Sequence, residues 1–188
     1  MPIFGWVLIG IAVVLIILFA GNYNSLVRLR NQVKNAWAQI DVQLKRRHDL
    51  IPNLVETVKG YAAHERETLE AVTNARNLAQ RAVGTGVDAQ SKAEGELSGA
   101  LSRLLAVVER YPDLKANQNF LALQEELTST ENKIGFSRQF YNDSVLRYNN
   151  KTQMFPSNII AGAMGFKASE FFEVEAAAER EAPRVSFS

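Results

Sequence analysis

The sequence predicts an all-α chain in which an N-terminal transmembrane helix continues into an antiparallel bundle of long helices. Three observations predict it: an uncharged apolar stretch at residues 3–20, apolar residues recurring every three or four positions through most of the remaining chain, and no alternating strand pattern before the C-terminus. Hydrophobic residues make up 47% and charged residues 22% of the 188, enough apolar material to bury a core. A chain of this length has room for one ordinary domain and a short anchor.

The first element is the anchor. Residues 3–20 read IFGWVLIGIAVVLIILFA, and at about 1.5 Å per residue they come close to the ~30 Å hydrocarbon thickness of a bilayer. Thirteen of these residues are Ile, Leu, Val or Phe, which at roughly −0.3 to −0.6 kcal/mol each favour insertion by about −4 to −8 kcal/mol. A cleaved signal peptide is the competing reading. It calls for a basic region before the apolar run and small residues at the cut. No Lys or Arg precedes the run, and cleavage after Ala20 or Gly21 would put Leu18 or Phe19 where a small residue is needed. The retained anchor is therefore preferred. Basic residues come after the span and none precedes it, so the positive-inside rule predicts a single pass with the N-terminus outside and the bulk of the chain cytoplasmic.

Beyond the anchor, Leu26, Leu29, Val33, Trp37, Ile40 and Leu44 form one helical stripe, and no breaker separates it from the span. Pro52 removes an amide donor and disfavours the helical region for Ile51, so a kink and a full break are both compatible with this position. The stripe resumes with Ile51, Val55, Val58, Ala62, Leu69, Val72 and Ala79, and Gly84-Thr85-Gly86 ends the arm. A second arm carries Leu97, Leu101, Leu104, Val108 and Tyr111 up to a turn at Tyr111-Pro112-Asp113. A third runs from about residue 117 to 151, with Leu123, Leu127, Ile134, Tyr141 and Tyr148 as its stripe. Short connections between long helices favour antiparallel neighbours. Residues 154–166 break the helical pattern, and residues 182–188 alternate polar and apolar like a short strand. The expected organisation is an anchor at 1–21, a helical bundle at 22–166 and an acidic tail at 167–188.

The search for chemistry excludes more than it finds. With no cysteine, disulfides, thiolate metal sites and cysteine nucleophiles are absent. Of the two histidines, His64 begins His64-Glu65-Arg66-Glu67-Thr68, where Thr68 stands in place of the second histidine of a zinc protease. Neither histidine has the glutamate three residues earlier that a di-iron bundle requires. Both are read as exposed or capping, and Glu125, Glu126 and Glu131 as a hydrated helix face. The Gly84-Thr85-Gly86 run follows no strand and lacks a third glycine, so it is no phosphate loop. No nucleophile elbow or Ser-x-x-Lys motif is present. The expectation is a non-enzymatic protein with no catalytic residue, cofactor or metal.

Lysine and arginine total 21 against 20 acidic residues, which gives no overall drive toward nucleic acid. The basic residues concentrate in 28–47 and the acidic ones in 170–181. Arg28, Arg30 and Lys34, just past the span, suit contact with anionic headgroups at about 1 kcal/mol each. Trp6 suits the aromatic belt at the outer end of the span, whereas Trp37 falls on the core stripe. The stretch around Tyr141, Asn142, Tyr148 and Asn149 is rich in a residue that helices disfavour. A polar network between helices and a binding surface both account for it.

Long motifs carry a family resemblance. Asn22-Tyr23-Asn24-Ser25-Leu26, the run from Val33-Lys34-Asn35-Ala36-Trp37 to Lys45-Arg46-Arg47, and Asp49-Leu50-Ile51-Pro52-Asn53-Leu54-Val55 resemble the signature of the LemA family. Glu131-Asn132-Lys133-Ile134, Arg138, Tyr141-Asn142, Tyr148-Asn149, Phe155-Pro156-Ser157 and the closing Pro-x-Val-x-Phe of Pro183, Val185 and Phe187 extend the match. The resemblance covers roughly residues 3–188, with a variable region at 81–96. It implies a single-pass protein of the bacterial plasma (inner) membrane with a cytoplasmic helical bundle, and it brings no catalytic residue. It also implies, by gene neighbourhood alone, a membrane protease or TPM-domain protein as partner. The resulting expectation is a membrane-tethered scaffold or adaptor that self-associates and contacts membrane lipids. Its candidate interaction surface is Tyr141, Asn142, Tyr148, Asn149, Pro183, Val185 and Phe187. The alternative is a lipid-binding or membrane-remodelling coat that uses the basic stem and residues 159–166.

Overall fold

The computed structural model describes residues 2–172, and every regular element among them is an α-helix. The order is α1 (Pro2–Lys59), α2 (Arg66–Ala82), α3 (Val87–Val108), α4 (Pro112–Lys115), α5 (Gln118–Gln153) and α6 (Ser157–Ala163). The all-α class and the long N-terminal apolar helix stand as the sequence predicts. The strand-like reading of 182–188 lies outside the described residues. The chain divides into two packed units, one built from residues 2–40 and 136–171 and the other from 41–135 with Phe172.

Helix α1 is long and apolar enough at its N-terminal end to cross a membrane, and no part of that window is covered by protein. Leu15, Ile16 and Ile17 are each at least 60% exposed, the condition of apolar side chains whose solvent is meant to be lipid. Pro52 lies inside α1 and does not end it. A proline cannot donate to the carbonyl four residues back, which is that of His48. The Nε of Arg76 on α2 donates to this carbonyl at 2.8 Å, so the acceptor that Pro52 vacates is filled.

The helix breaks instead at residues 60–65. Gly60 lowers propensity there, and the amides of Tyr61 and Ala62 both turn back to the carbonyl of Val58, at 3.0 and 2.8 Å. The first arm is thus two helices, α1 and α2, and the break falls after Lys59 and not at Pro52. Ala62 is buried with Val58 and Leu69 in the same core, so the apolar spacing carries across the turn and conceals it. Gly84 (φ 81) and Gly86 (φ 128) adopt the left-handed region that closes the α2–α3 turn. Val72 and Ala79 of α2 share one buried cluster with Leu97, Leu101 and Leu104 of α3, each large member contributing about 1.5–3 kcal/mol. The Oδ1 of Asn117 accepts from the amide of Phe120 at 3.0 Å and caps the start of α5.

In the other unit, Leu26, Val33, Ala36 and Ile40 of α1 are buried together with Tyr141, Val145 and Tyr148 of α5. Trp37 is only half-buried and meets Tyr141 edge-on, with ring centroids 5.2 Å apart. Pro156 stops α5, since the residue before a proline disfavours the helical region. Ser157, fully buried, donates its hydroxyl to the carbonyls of Lys151 and Met154 at the helix end, at 2.6 and 2.8 Å. Helix α6 closes through Gly165 (φ 71), with the amide of Phe166 returning to the carbonyl of Ala161 at 2.9 Å. That is the Schellman arrangement, and its apolar pair, Phe166 and Ala161, is buried.

Candidate functional site

Three arrangements of polar side chains stand out, and the first is a buried charge cluster where α1, α3 and α5 meet. Arg47 and Glu94 have side chains with no exposure. The Nη2 of Arg47 donates to Oε2 of Glu94 and, at 3.4 Å, to its backbone carbonyl. Its Nη1 donates to Oγ of Ser98 at 3.0 Å and to Oε1 of Glu131 at 2.8 Å. His48, the next residue on α1, brings Nε2 to 2.9 Å from the other Glu94 oxygen, within ion-pair reach but off the line of a hydrogen bond. Burial by itself would push the Glu94 carboxyl up. His48 and Arg47 reverse that and hold it below the usual glutamate value.

These placements correct two expectations. His48 is buried rather than exposed or capping, while His64 is exposed as expected. Glu126 and Glu131 are not simply hydrated: Arg46 donates to Oε1 of Glu126 at 2.6 Å, and Arg47 binds Glu131. Only Glu125 is a plain solvent residue. Arg46 and Arg47 are therefore committed within the protein. A pocket of about 350 Å³ opens beside His48, lined by Asp41, Leu44, Lys45, Gln80, Val83 and Gln90. None of these carries a hydroxyl or thiol. Among the described residues no group of three or more His, Asp or Glu is placed to hold a metal ion.

The second arrangement is a clamp on residues 169–170. Asn149 donates Nδ2 to the carbonyl of Ser169 at 2.9 Å and accepts from the Ser169 amide at 2.8 Å. One side-chain amide thus pairs with both backbone groups of a single residue, as a residue of a neighbouring strand would. The hydroxyl of Tyr141 donates to the carbonyl of Glu170 at 2.9 Å, and burial followed by the nearby Glu170 charge pushes its pKa up to about 12. Tyr148 is buried on the same helix, and burial raises its pKa against the opposing effect of Arg30. Of the expected interaction residues, Tyr141 and Tyr148 are buried in this unit, Asn142 and Asn149 are half-buried, and Pro183, Val185 and Phe187 lie outside the described residues.

The third is a groove along α1, lined by Asn24, Arg28, Asn31, Asn35, Gln39 and, from α5, Phe140. With half-buried Val27 and Gln32 beside them, Asn24, Arg28, Asn31, Asn35 and Gln39 succeed one another at steps of four, three, four and four and are all exposed. They form a single helical stripe of donors and acceptors. The expected lipid contacts Trp6, Arg28, Arg30 and Lys34 are also exposed, and the guanidinium of Arg30 stacks over the Phe166 ring at 4.9 Å. Sequence reasoning misses this stripe because polar side chains at helical spacing read as an ordinary hydrated face.

The fold defines an all-helical protein with one candidate membrane-spanning helix among the described residues. The chain belongs to the LemA family, whose profile matches residues 36–187. It is 25% identical over 182 residues to Magnetosome protein MamQ 2 of Paramagnetospirillum magneticum, covering 84% of this chain and 67% of that protein. It is 27% identical over 167 residues to Protein LemA of Metamycoplasma hominis, covering 84% and 74%. Magnetosome protein MamQ of Magnetospirillum gryphiswaldense is 24% identical over 182 residues, with coverage of 84% and 67%.

Proposed function

We propose that the protein is a non-enzymatic, membrane-tethered helical scaffold or adaptor that self-associates, with its bulk on the cytoplasmic side of the bacterial plasma membrane. The observation that carries this reading is α1 itself, a single helix from Pro2–Lys59 that holds both the charge-free stretch and the exposed amide stripe. An anchor and a polar face on one helix present that face at a fixed height above the bilayer. Asn24, Asn31, Asn35 and Gln39 each donate and accept, so these amides are complementary to the same amides on a parallel copy. LemA family membership and similarity to proteins named for the magnetosome rather than for a reaction support the non-enzymatic reading.

Gentle detergent extraction of the full-length chain tests it. The expected result is a discrete oligomer that Asn31→Ala with Asn35→Ala shifts toward monomer. A wild-type chain that is monomeric at all concentrations overturns self-association. Deletion of residues 182–188 tests the tail as a further assembly element. Protease access to the C-terminus from outside intact cells overturns the orientation.

A further inference from the structure

We infer that the α5–α6 corner is a second membrane contact, a monotopic foot that enters the headgroup region of the same bilayer the anchor crosses. The inference rests on the membrane-tethered reading above. Its basis is an apolar patch where a water-facing corner would be polar: Phe155 is 80% exposed, Ile159 64%, Met154 62% and Met164 51%. Their neighbours Ile160, Ala161 and Phe166 turn inward and are buried, so the patch is one face of a folded element rather than a loose loop. Residues 159–166, which the sequence presents as one apolar patch, are thereby divided into an inner and an outer face.

The height of this face on α1 identifies what covers it. Lys151 donates Nζ to Oδ1 of Asn22 at 3.0 Å, and the ring of Phe166 meets that of Tyr23 edge-on at 5.8 Å. Both ends of the corner are thus fixed to residues 22–23, only two or three positions past the 3–20 stretch, which is about 3–5 Å along a helix. No charge appears on α1 until Arg28. The exposed side chains therefore lie beside the end of the span, at the depth where aromatic and apolar side chains of interfacial helices reside. Charge agrees with that placement. No carboxylate occurs between Asp143 and Glu170, while Arg147, Lys151 and Lys167 do, and cations beside an apolar patch favour an anionic leaflet.

The absence of cysteine makes the test direct. Single Phe155→Cys, Ile159→Cys, Leu15→Cys and Gln139→Cys variants of the full-length chain would be spin-labelled and placed in vesicles of phosphatidylglycerol and phosphatidylethanolamine. Collision with oxygen and with a water-soluble nickel chelate then reports depth. Gln139 is exposed on the same helix as Lys151, twelve residues away or about 18 Å. Labels at 155 and 159 are expected to collide less with the chelate and more with oxygen than the label at 139, and to be shallower than the label at 15. Labels at 155 and 159 that behave like 139 while 15 remains deep overturn the foot and leave the anchor intact. An aqueous signal at 15 as well overturns the anchor and the foot together. Strong spin–spin broadening at 155 or 159, with both reagents excluded, assigns the face to a second copy and also overturns the proposal.

Discussion

The guanidinium of Arg76 donates to the backbone carbonyl of His48, the acceptor that Pro52, four residues on, cannot fill. A proline inside a helix ordinarily costs about 3 kcal/mol because a donor is lost and the ring crowds the preceding turn. Here a charged donor from the neighbouring helix satisfies the freed carbonyl, and α1 continues to Lys59.

That pairing makes the effects of two substitutions interdependent. Arg76→Ala should destabilise the fold by about 1.5–3 kcal/mol, the range for a hydrogen bond to a charged group. In a Pro52→Ala background the loss should be clearly smaller, because an amide at 52 then reaches His48. Urea denaturation of the four proteins, monitored by circular dichroism, measures the coupling. Equal losses in the two backgrounds would show that Arg76 does not serve the proline.

The Arg47–Glu94 pair should respond asymmetrically. Arg47→Met or Glu94→Leu alone removes the buried partner of the other charge, leaving Glu94 with His48 alone or Arg47 with the half-exposed Glu131, and should cost up to about 3–5 kcal/mol, whereas the double replacement should recover most of that loss. The same pair sets an acid limit. Glu94 titrates lower in the folded chain than in the unfolded one, where a glutamate lies near about 4.3. Its contribution is complete above that value and is lost as pH falls through the lower folded value. Glu94→Gln should be less stable at neutral pH and should show a flatter acid limb, read as denaturation midpoint against pH.

Tyr141 gives the opposite limb. Its folded pKa of about 12 lies above the ordinary value of 10.0, so the stability it contributes is complete below pH 10 and is lost as pH rises from there toward 12. Absorbance of the tyrosinate should trail the exposed tyrosines through this window. Tyr141→Phe should cost about 0.5–1.5 kcal/mol at neutral pH by losing the bond to Glu170. An unshifted alkaline midpoint in this variant would show that Tyr141 does not set the limb.

Asn149→Ala removes both bonds to the Ser169 peptide, leaving its amide and carbonyl to find water at a cost of about 1–3 kcal/mol. The expected effect is local: faster proteolysis after Gly165, with the helical content of the chain unchanged. Asn149→Asp, which keeps the acceptor and loses the donor, should fall between wild type and Asn149→Ala. Identical cleavage of all three would remove the clamp from this account.

What the sequence determined by itself is what a short window contains. The 18 uncharged residues that make a candidate span, the stripes of α3 and α5 and the glycine turn at 84–86 arise from local composition and spacing. The turn at 60–65 escaped because Ala62 joins the same core and keeps the period intact. The partner of Arg47 is Glu94, 47 positions away, and its second is Glu131, 84 away. Whether a charge is buried depends on such a partner being brought within hydrogen-bonding reach, and no local pattern encodes that. The tertiary structure alone decided that Arg47 and His48 belong to the interior, that Pro52 has its carbonyl served from α2, and that Lys151, at the end of α5, is tied to Asn22 just past the span.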